Sequence, residues 1–303
     1  MTAPLLPLKS LDTVWFQVAG TRCNLTCTHC FISCSPQNEN FGYLSLAKVE
    51  ASLQEAAARG VKEFYFTGGE PFLNKEMTDI LCRTLDFGPA TVLTNGLVLK
   101  DAWLERLRAT EDASRYGLEF RVSIDGPDAA TNDPIRGPGT FEKALLGVEK
   151  LVEHGFLPIL TMTRVWDDVD DRAVMTAFRK VLAEHGYTRP RIKLLPRLQI
   201  GAEAERTAGY TATDRVTAAM LADYDQSQLV CSSARLVSDR GVHVCPILLE
   251  APDSLMGQTL AEADRPFALN HGACYTCWQY GAICSNFVQA PSSNSQAPGG
   301  VPS

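Results

Sequence analysis

Short apolar runs punctuate the first two thirds of the chain, with stretches of helical periodicity between them. The runs fall at 14–20 (VWFQVAG), 61–68 (VKEFYFTG), 90–96 (ATVLTNG), 118–126 (LEFRVSIDG), 157–164 (LPILTMTR) and 191–199 (RIKLLPRLQ). Their length and their β-branched and aromatic residues predict strands. Helices are predicted in LAKVEASLQEAAARG, KEMTDILCRTLDFG, KDAWLERLRAT, TFEKALLGVEKLVEHG and DRAVMTAFRKVLAEHG. Ser45 and Gly60 bracket the first helix, and Thr140 and Gly155 the fourth, as N-cap and C′ residues. Six such β-then-α units predict a parallel sheet with right-handed crossovers, open or partly closed as a barrel. In such barrels chemistry gathers where strands end and the βα loops begin.

The strand ends hold the unusual residues. GTRCNLTCTHCFISC (20–34) follows the first strand, TGGEP (67–71) the second, TNG (94–96) the third and SIDGP (123–127) the fourth. Beyond about residue 200 the rhythm breaks. One short helix is expected within 210–224, and a hairpin over 233–248 with Asp239 to Gly241 as its turn. CYTCWQYGAIC (274–284) is a second cysteine-rich stretch, and the Ser-, Pro- and Gly-rich end, 289–303, is expected to be disordered.

Composition narrows the class of protein. The chain has 303 residues and a net charge of −7, with no basic stripe, which speaks against a nucleic-acid partner. No apolar stretch reaches the length of a membrane span, and the N-terminus lacks the pattern of a signal peptide. A cytoplasmic protein with no membrane partner is expected. Ten cysteines are many for a reducing compartment, where clustered thiols bind metal or do redox chemistry more often than they pair.

Cys23, Cys27 and Cys30, separated by three and then two residues, can wrap one metal centre. A zinc site with Cys34 or His29 as fourth ligand stays open on spacing alone. Three cysteines on a four-iron cluster would leave one iron free for another ligand. This spacing after the first strand, with Gly68-Gly69-Glu70-Pro71 after the second, resembles the radical S-adenosylmethionine (SAM) superfamily over roughly residues 12 to 200.

The resemblance implies a partial (β/α)6 TIM-like barrel over 12–205, in an α/β fold. It implies that Cys23, Cys27 and Cys30 ligate a 4Fe-4S cluster whose fourth iron SAM chelates. His29 stands where the family places an aromatic residue, and is expected to pack on adenine. Gly68 and Gly69 admit close backbone approach, and the Glu70 carboxylate is expected to meet the SAM ammonium. Asn95, Ser123 and Asp125 stand where relatives contact the ribose or carboxylate. The segment 195–206 resembles the one that passes the adenine, with Gly201-Ala202-Glu203 where an arginine is common in the family.

Cys231, Cys245, Cys274 and Cys277, with Cys284 as an alternative, form a separate set. On the residues alone it fits a zinc ribbon. Behind a radical SAM core it resembles a twitch or SPASM auxiliary domain, here 206–288, holding a second 4Fe-4S cluster. Cys82 is expected to be a core thiol, and Cys34 merely to end its loop.

The implied activity is reductive cleavage of SAM to a 5′-deoxyadenosyl radical, which takes hydrogen from a small-molecule biosynthetic intermediate. The auxiliary cluster would assist oxidation, and a flavodoxin or ferredoxin would donate the electron. Alternatives are a peptide maturase, forming thioethers or oxidising side chains, and a sulfur-inserting enzyme. Asn132, Asp133 and Arg136, in a polar loop after the fourth strand, are the substrate-side candidates. A non-catalytic zinc scaffold would explain the cysteines but not the residues at successive strand ends.

Overall fold

A computed structural model describes residues 3–166, 170–281 and 283. The strands are β1 (Leu5–Leu6), β2 (Thr13–Gln17), β3 (Glu63–Thr67), β4 (Ala90–Thr94), β5 (Leu118–Ser123), β6 (Ile159–Thr163), β7 (Arg191–Leu195), β8 (Ala234–Ser238), β9 (Gly241–His243), β10 (Leu255–Gly257) and β11 (Phe267–Ala268). The α-helices are α1 (Leu46–Ala58), α2 (Met77–Thr84), α3 (Asp101–Ala113), α4 (Ala129–Arg136), α5 (Thr140–Glu153), α6 (Asp171–Glu184), α7 (Ala202–Thr207), α8 (Ala218–Leu221) and α9 (Gly272–Tyr280).

Strands β2 to β7 are the six expected from the apolar runs, and they pair in parallel in chain order. Strand pleating puts Phe64 and Phe66 of β3, and Phe120 and Val122 of β5, on one fully covered apolar face. The other face is mixed: the Arg121 guanidinium lies 5.0 Å from the centre of the Tyr65 ring, and Tyr65 stacks on Trp15. Ser45 caps α1 by accepting from the Lys48 N–H at 3.2 Å. Gly60 follows that helix at φ +76°, which any other residue would adopt at a cost.

Several elements differ from the sequence expectation. The stretch after β5 is not a loop but the helix α4, capped by Asp128, whose side chain accepts from the Thr131 N–H. Gly139, in a left-handed conformation, is the N-cap of α5, so Thr140 is its first helical residue rather than its cap. The hairpin is β8–β9, with Ser238 facing Gly241, which leaves Asp239 and Arg240 as the turn. β8 pairs in parallel with β2, so β8, β9 and β10 extend the barrel strands into one nine-stranded sheet. Cys284 and the 289–303 segment lie outside the described residues. Among the described residues no helix is long and apolar enough to cross a membrane.

Candidate active site and second cysteine set

Two loops are zipped together at the upper ends of β2 and β3. The Gly69 N–H donates to Gly20 O at 3.0 Å, and the Glu70 N–H to Arg22 O at 2.9 Å. A Cβ on Gly69 would lie 1.9 Å from Arg22 O and 2.7 Å from Cys23 N. Gly68 has φ +141°, and its Cβ would meet Ala19 N at 2.8 Å. The close approach that the two glycines permit is therefore to the cysteine loop itself.

Glu70 ties the rim together. Its carboxylate is buried and accepts from the Phe72 N–H (3.1 Å), the Thr94 hydroxyl (2.8 Å) and the Asn95 N–H (2.7 Å). It caps the short turn that Pro71 begins and ties β3 to the end of β4. Burial outweighs the three donors and pushes its carboxyl up to about 7.

Asn95 reaches the cysteines, donating from Nδ2 to Asn24 Oδ1 at 2.7 Å with Cys23 Sγ at 3.9 Å. Cys30 Sγ accepts from the Cys34 N–H at 3.3 Å. Donation from Cys34 brings the Cys30 thiol down, while Cys34 is pushed up. Cys34 thus supports Cys30 rather than merely ending the loop, and its spacing of four residues from Cys30 was the signal for it. Burial pushes Cys23 up to about 12 and Cys27 up to about 11. Such thiols become ligands only where a positive centre draws off the proton.

A buried charge cluster flanks the loop. Asp125 Oδ2 lies 2.7 Å from His29 Nε2 and 2.6 Å from Arg136 Nε, with all three side chains nearly or wholly covered. Asp125 Oδ2 and Arg136 Nε are close without the alignment of a hydrogen bond, and His29 Nδ1, the ring nitrogen that does not face Asp125, has no hydrogen-bond partner. Burial works against the Asp125 charge, yet Arg136 and then His29 outweigh it and hold the carboxyl well below its usual range. Its other oxygen accepts from the Thr163 N–H at 2.7 Å. Ser123 stands beside it in the sheet, 3.2 Å from the Thr161 hydroxyl.

The structure separates the three substrate-side candidates. Arg136 is brought to the cysteine loop. Asp133 is not: its carboxylate accepts from the Gly139 and Phe141 N–H groups and from Asn132 and Thr140, shaping the α4–α5 corner. Asn132 is also internal, accepting from the Asp125 N–H. His29 is not solvent-facing, and its Nε2 edge is turned to Asp125. Cys82 is half-buried, 3.3 Å from the Thr110 hydroxyl.

Cys231, Cys245, Cys274 and Cys277 line one cavity, with Leu229, Val244, Leu248 and Phe267 among its apolar walls. Three segments converge there: the turn before β8, the residue pair after β9, and one face of α9. Cys231 adjoins Ser232 and Ser233, whose carbonyls accept from the Lys9 and Asp12 N–H groups, at the opposite end of β2 from Cys23. Four strand rises, about 13 Å, separate Thr13 from Gln17, so the turn carrying Cys231 and the loop carrying Cys23 leave β2 at ends that far apart. Among the described residues no three Cys, His, Asp or Glu side chains converge tightly enough for one metal ion. A ligand set surrounding several irons is wider than that.

A parallel α/β sheet with a thiol-lined site on its upper rim is the class that fold and site define. Residues 18–181 match the Radical SAM superfamily, and the chain belongs to it; its members use SAM and a 4Fe-4S cluster. The chain is 36% identical over 145 residues to the AdoMet-dependent heme synthase of Methanosarcina barkeri, covering 47% of this chain and 39% of that protein. It is 30% identical over 146 residues to the antilisterial bacteriocin subtilosin biosynthesis protein AlbA of Bacillus subtilis, covering 47% and 31%. These matches span well under half of either relative. The fold resembles Streptococcus suis SuiB bound to S-adenosylmethionine, with a TM-score of 0.62 and 13% identity over 84% of this chain and 64% of that one.

Proposed function

We propose that this radical SAM enzyme takes hydrogen from a small-molecule biosynthetic intermediate, with an auxiliary 4Fe-4S cluster assisting oxidation. The observation that carries the reading is the union of the cysteine loop with the Gly68–Gly69 backbone at the strand ends. The residues suit the group: Cys23, Cys27 and Cys30 are unpaired thiols at one rim. One buried polar atom beside them, His29 Nδ1, has no hydrogen-bond partner, and such an atom calls for an explanation that a polar cofactor would supply.

When bound, the cluster and SAM supply a 5′-deoxyadenosyl radical. The chain positions and shields that chemistry. Glu70, Asn95 and Cys34 fix the loop that carries the ligands, and Asp125 holds His29 and Arg136 against it. Cys231, Cys245, Cys274 and Cys277 would hold the second cluster. Four thiolates leave it no free iron, and its distance from the rim suits electron transfer better than substrate ligation or sulfur donation. A flavodoxin- or ferredoxin-type partner would supply the first electron. A peptide substrate is the second reading, favoured by the likeness to a bacteriocin biosynthesis protein.

The test is iron, sulfide and zinc per chain after anaerobic reconstitution, with 5′-deoxyadenosine formation in the same sample. About eight irons, falling to about four when the four C-terminal cysteines are changed to serine, supports both sites. Four irons that survive this change remove the auxiliary cluster, and zinc at Cys23, Cys27 and Cys30 removes the radical chemistry. Product formation from a small metabolite or from a precursor peptide separates the two substrate readings.

A further inference from the structure

Arg235, in the middle of β8, is fully buried. Its Nε donates to Ala263 O at 2.9 Å, Nη1 to Cys231 O and Ala234 O at 2.8 Å, and Nη2 to Arg265 O at 3.1 Å. Its hydrogen bonds are thus met by backbone carbonyls alone. Carbonyls are dipoles, however, and a buried guanidinium without an opposing charge is expensive. The acidic groups that act on it most strongly are Cys231 and Cys245, followed by Asp264. Asp264 faces Arg59 at 3.4 Å and is half exposed. The Nη1–Cys231 O bond sets the guanidinium against the backbone of the cysteine cavity, where neutral thiols would supply no compensating charge. Four thiolates around an iron–sulfur core outweigh the core's positive charge and leave a net negative group.

We propose that Arg235 is the buried counter-charge of the auxiliary cluster and holds its reduction potential up. This rests on the reading that the C-terminal cysteines bind a four-iron cluster. Reduction adds one negative charge, so a fixed cation beside Cys231 favours the reduced form and makes the centre a better electron acceptor. Net charge and surrounding hydrogen bonds are among the established levers on such potentials. The arginine is therefore a positioning residue acting through charge, beyond its service as a clamp for the turn at Cys231.

The experiment uses the full chain carrying Cys23→Ala, Cys27→Ala and Cys30→Ala, so that only the C-terminal set can load. Redox titration followed by electron paramagnetic resonance compares Arg235, Arg235→Lys and Arg235→Gln. The expected result is at least a tenfold loss in the reduction equilibrium for Arg235→Gln, about 59 mV for one electron, with Arg235→Lys close to the parent. An unchanged potential in Arg235→Gln overturns the proposal while leaving the cluster in place. A parent that binds no iron overturns the cluster reading as well.

Should Arg235→Gln not fold when loaded, it is made again with Cys231, Cys245, Cys274 and Cys277 changed to serine. Folding in that cluster-free chain supports the counter-charge, because there is no anion left to balance. Equal failure in both chains means that Arg235 is a clamp only and overturns the proposal.

Discussion

Gly69→Ala tests the joint between the two loops most directly. The added Cβ would stand 1.9 Å from Arg22 O, against a floor of about 3.0 Å for real Cβ contacts, so the loops must part by about 1.1 Å. Both neighbours are backbone and cannot swing aside. That parting breaks the Gly69–Gly20 and Glu70–Arg22 hydrogen bonds, worth about 1 kcal/mol each, and adds about 1–3 kcal/mol of overpacking. The total, about 3–5 kcal/mol, lowers the melting temperature by on the order of 10 °C. Cys23 N is 2.7 Å from the same Cβ, so the first thiol moves with the loop. The assay is iron per chain at the first site, in the background with the four C-terminal cysteines changed to serine, together with thermal unfolding. The control is Gly60→Ala, where nothing lies within 4 Å and only the φ of +76° resists; it should retain iron and lose about 1 kcal/mol. If Gly69→Ala loads iron like its parent and melts within 2 °C or so of it, the joint is not what organises the site.

Two titratable groups give further tests. The Glu70 carboxyl, raised from 4.5 to about 7 by burial, favours the folded state while protonated. Its contribution is therefore full below about pH 4.5 and lost as pH rises through about 7, about 3 kcal/mol in all. Urea unfolding of the cluster-free chain should show this decline, and Glu70→Gln should flatten it; parallel profiles would refute the burial argument. Asp125 is displaced the other way. Its contribution is present above about pH 4, the ordinary aspartate value, and fades as pH falls below it. Asp125→Asn leaves buried Arg136 uncompensated, so it should cost about 3–5 kcal/mol at pH 7, with the difference narrowing towards pH 3. A cost under about 1 kcal/mol at pH 7 would mean that the three side chains are not coupled.

The six parallel strands were legible because buried parallel strands read as continuous apolar runs. The rim was legible because its residues follow those runs directly. The helix α4 was hidden by Asn132, Asp133 and Pro134, which look like a loop until Asp128 and Asp133 are seen wrapping its ends. Thr140 looked like a cap because it precedes an apolar pattern, whereas the left-handed backbone at Gly139 begins the helix. The Glu70 motif was visible, but the direction of its carboxylate depends on Thr94 and Asn95, which another strand delivers. The pairing of β8 with β2 joins Thr13 to Ala234, a partnership that no local pattern encodes. Arg235 looked like one polar residue in a strand, and only its burial shows a charge in need of a partner.

That pairing also fixes how the two cysteine sets can cooperate. Cys23 follows the upper end of β2, while Cys231 precedes β8 at the level of the lower end, and the register from Thr13 to Phe16 holds them there. A strand of this length spans about 13 Å, too far for one reacting atom to touch both centres. On the proposed reading, a substrate atom reacting beside Arg136 and Cys27 would meet only the upper set. What would pass to the lower set, on that reading, is an electron, and a cation buried beside Cys231 is where a charge arriving at that end would be stabilised.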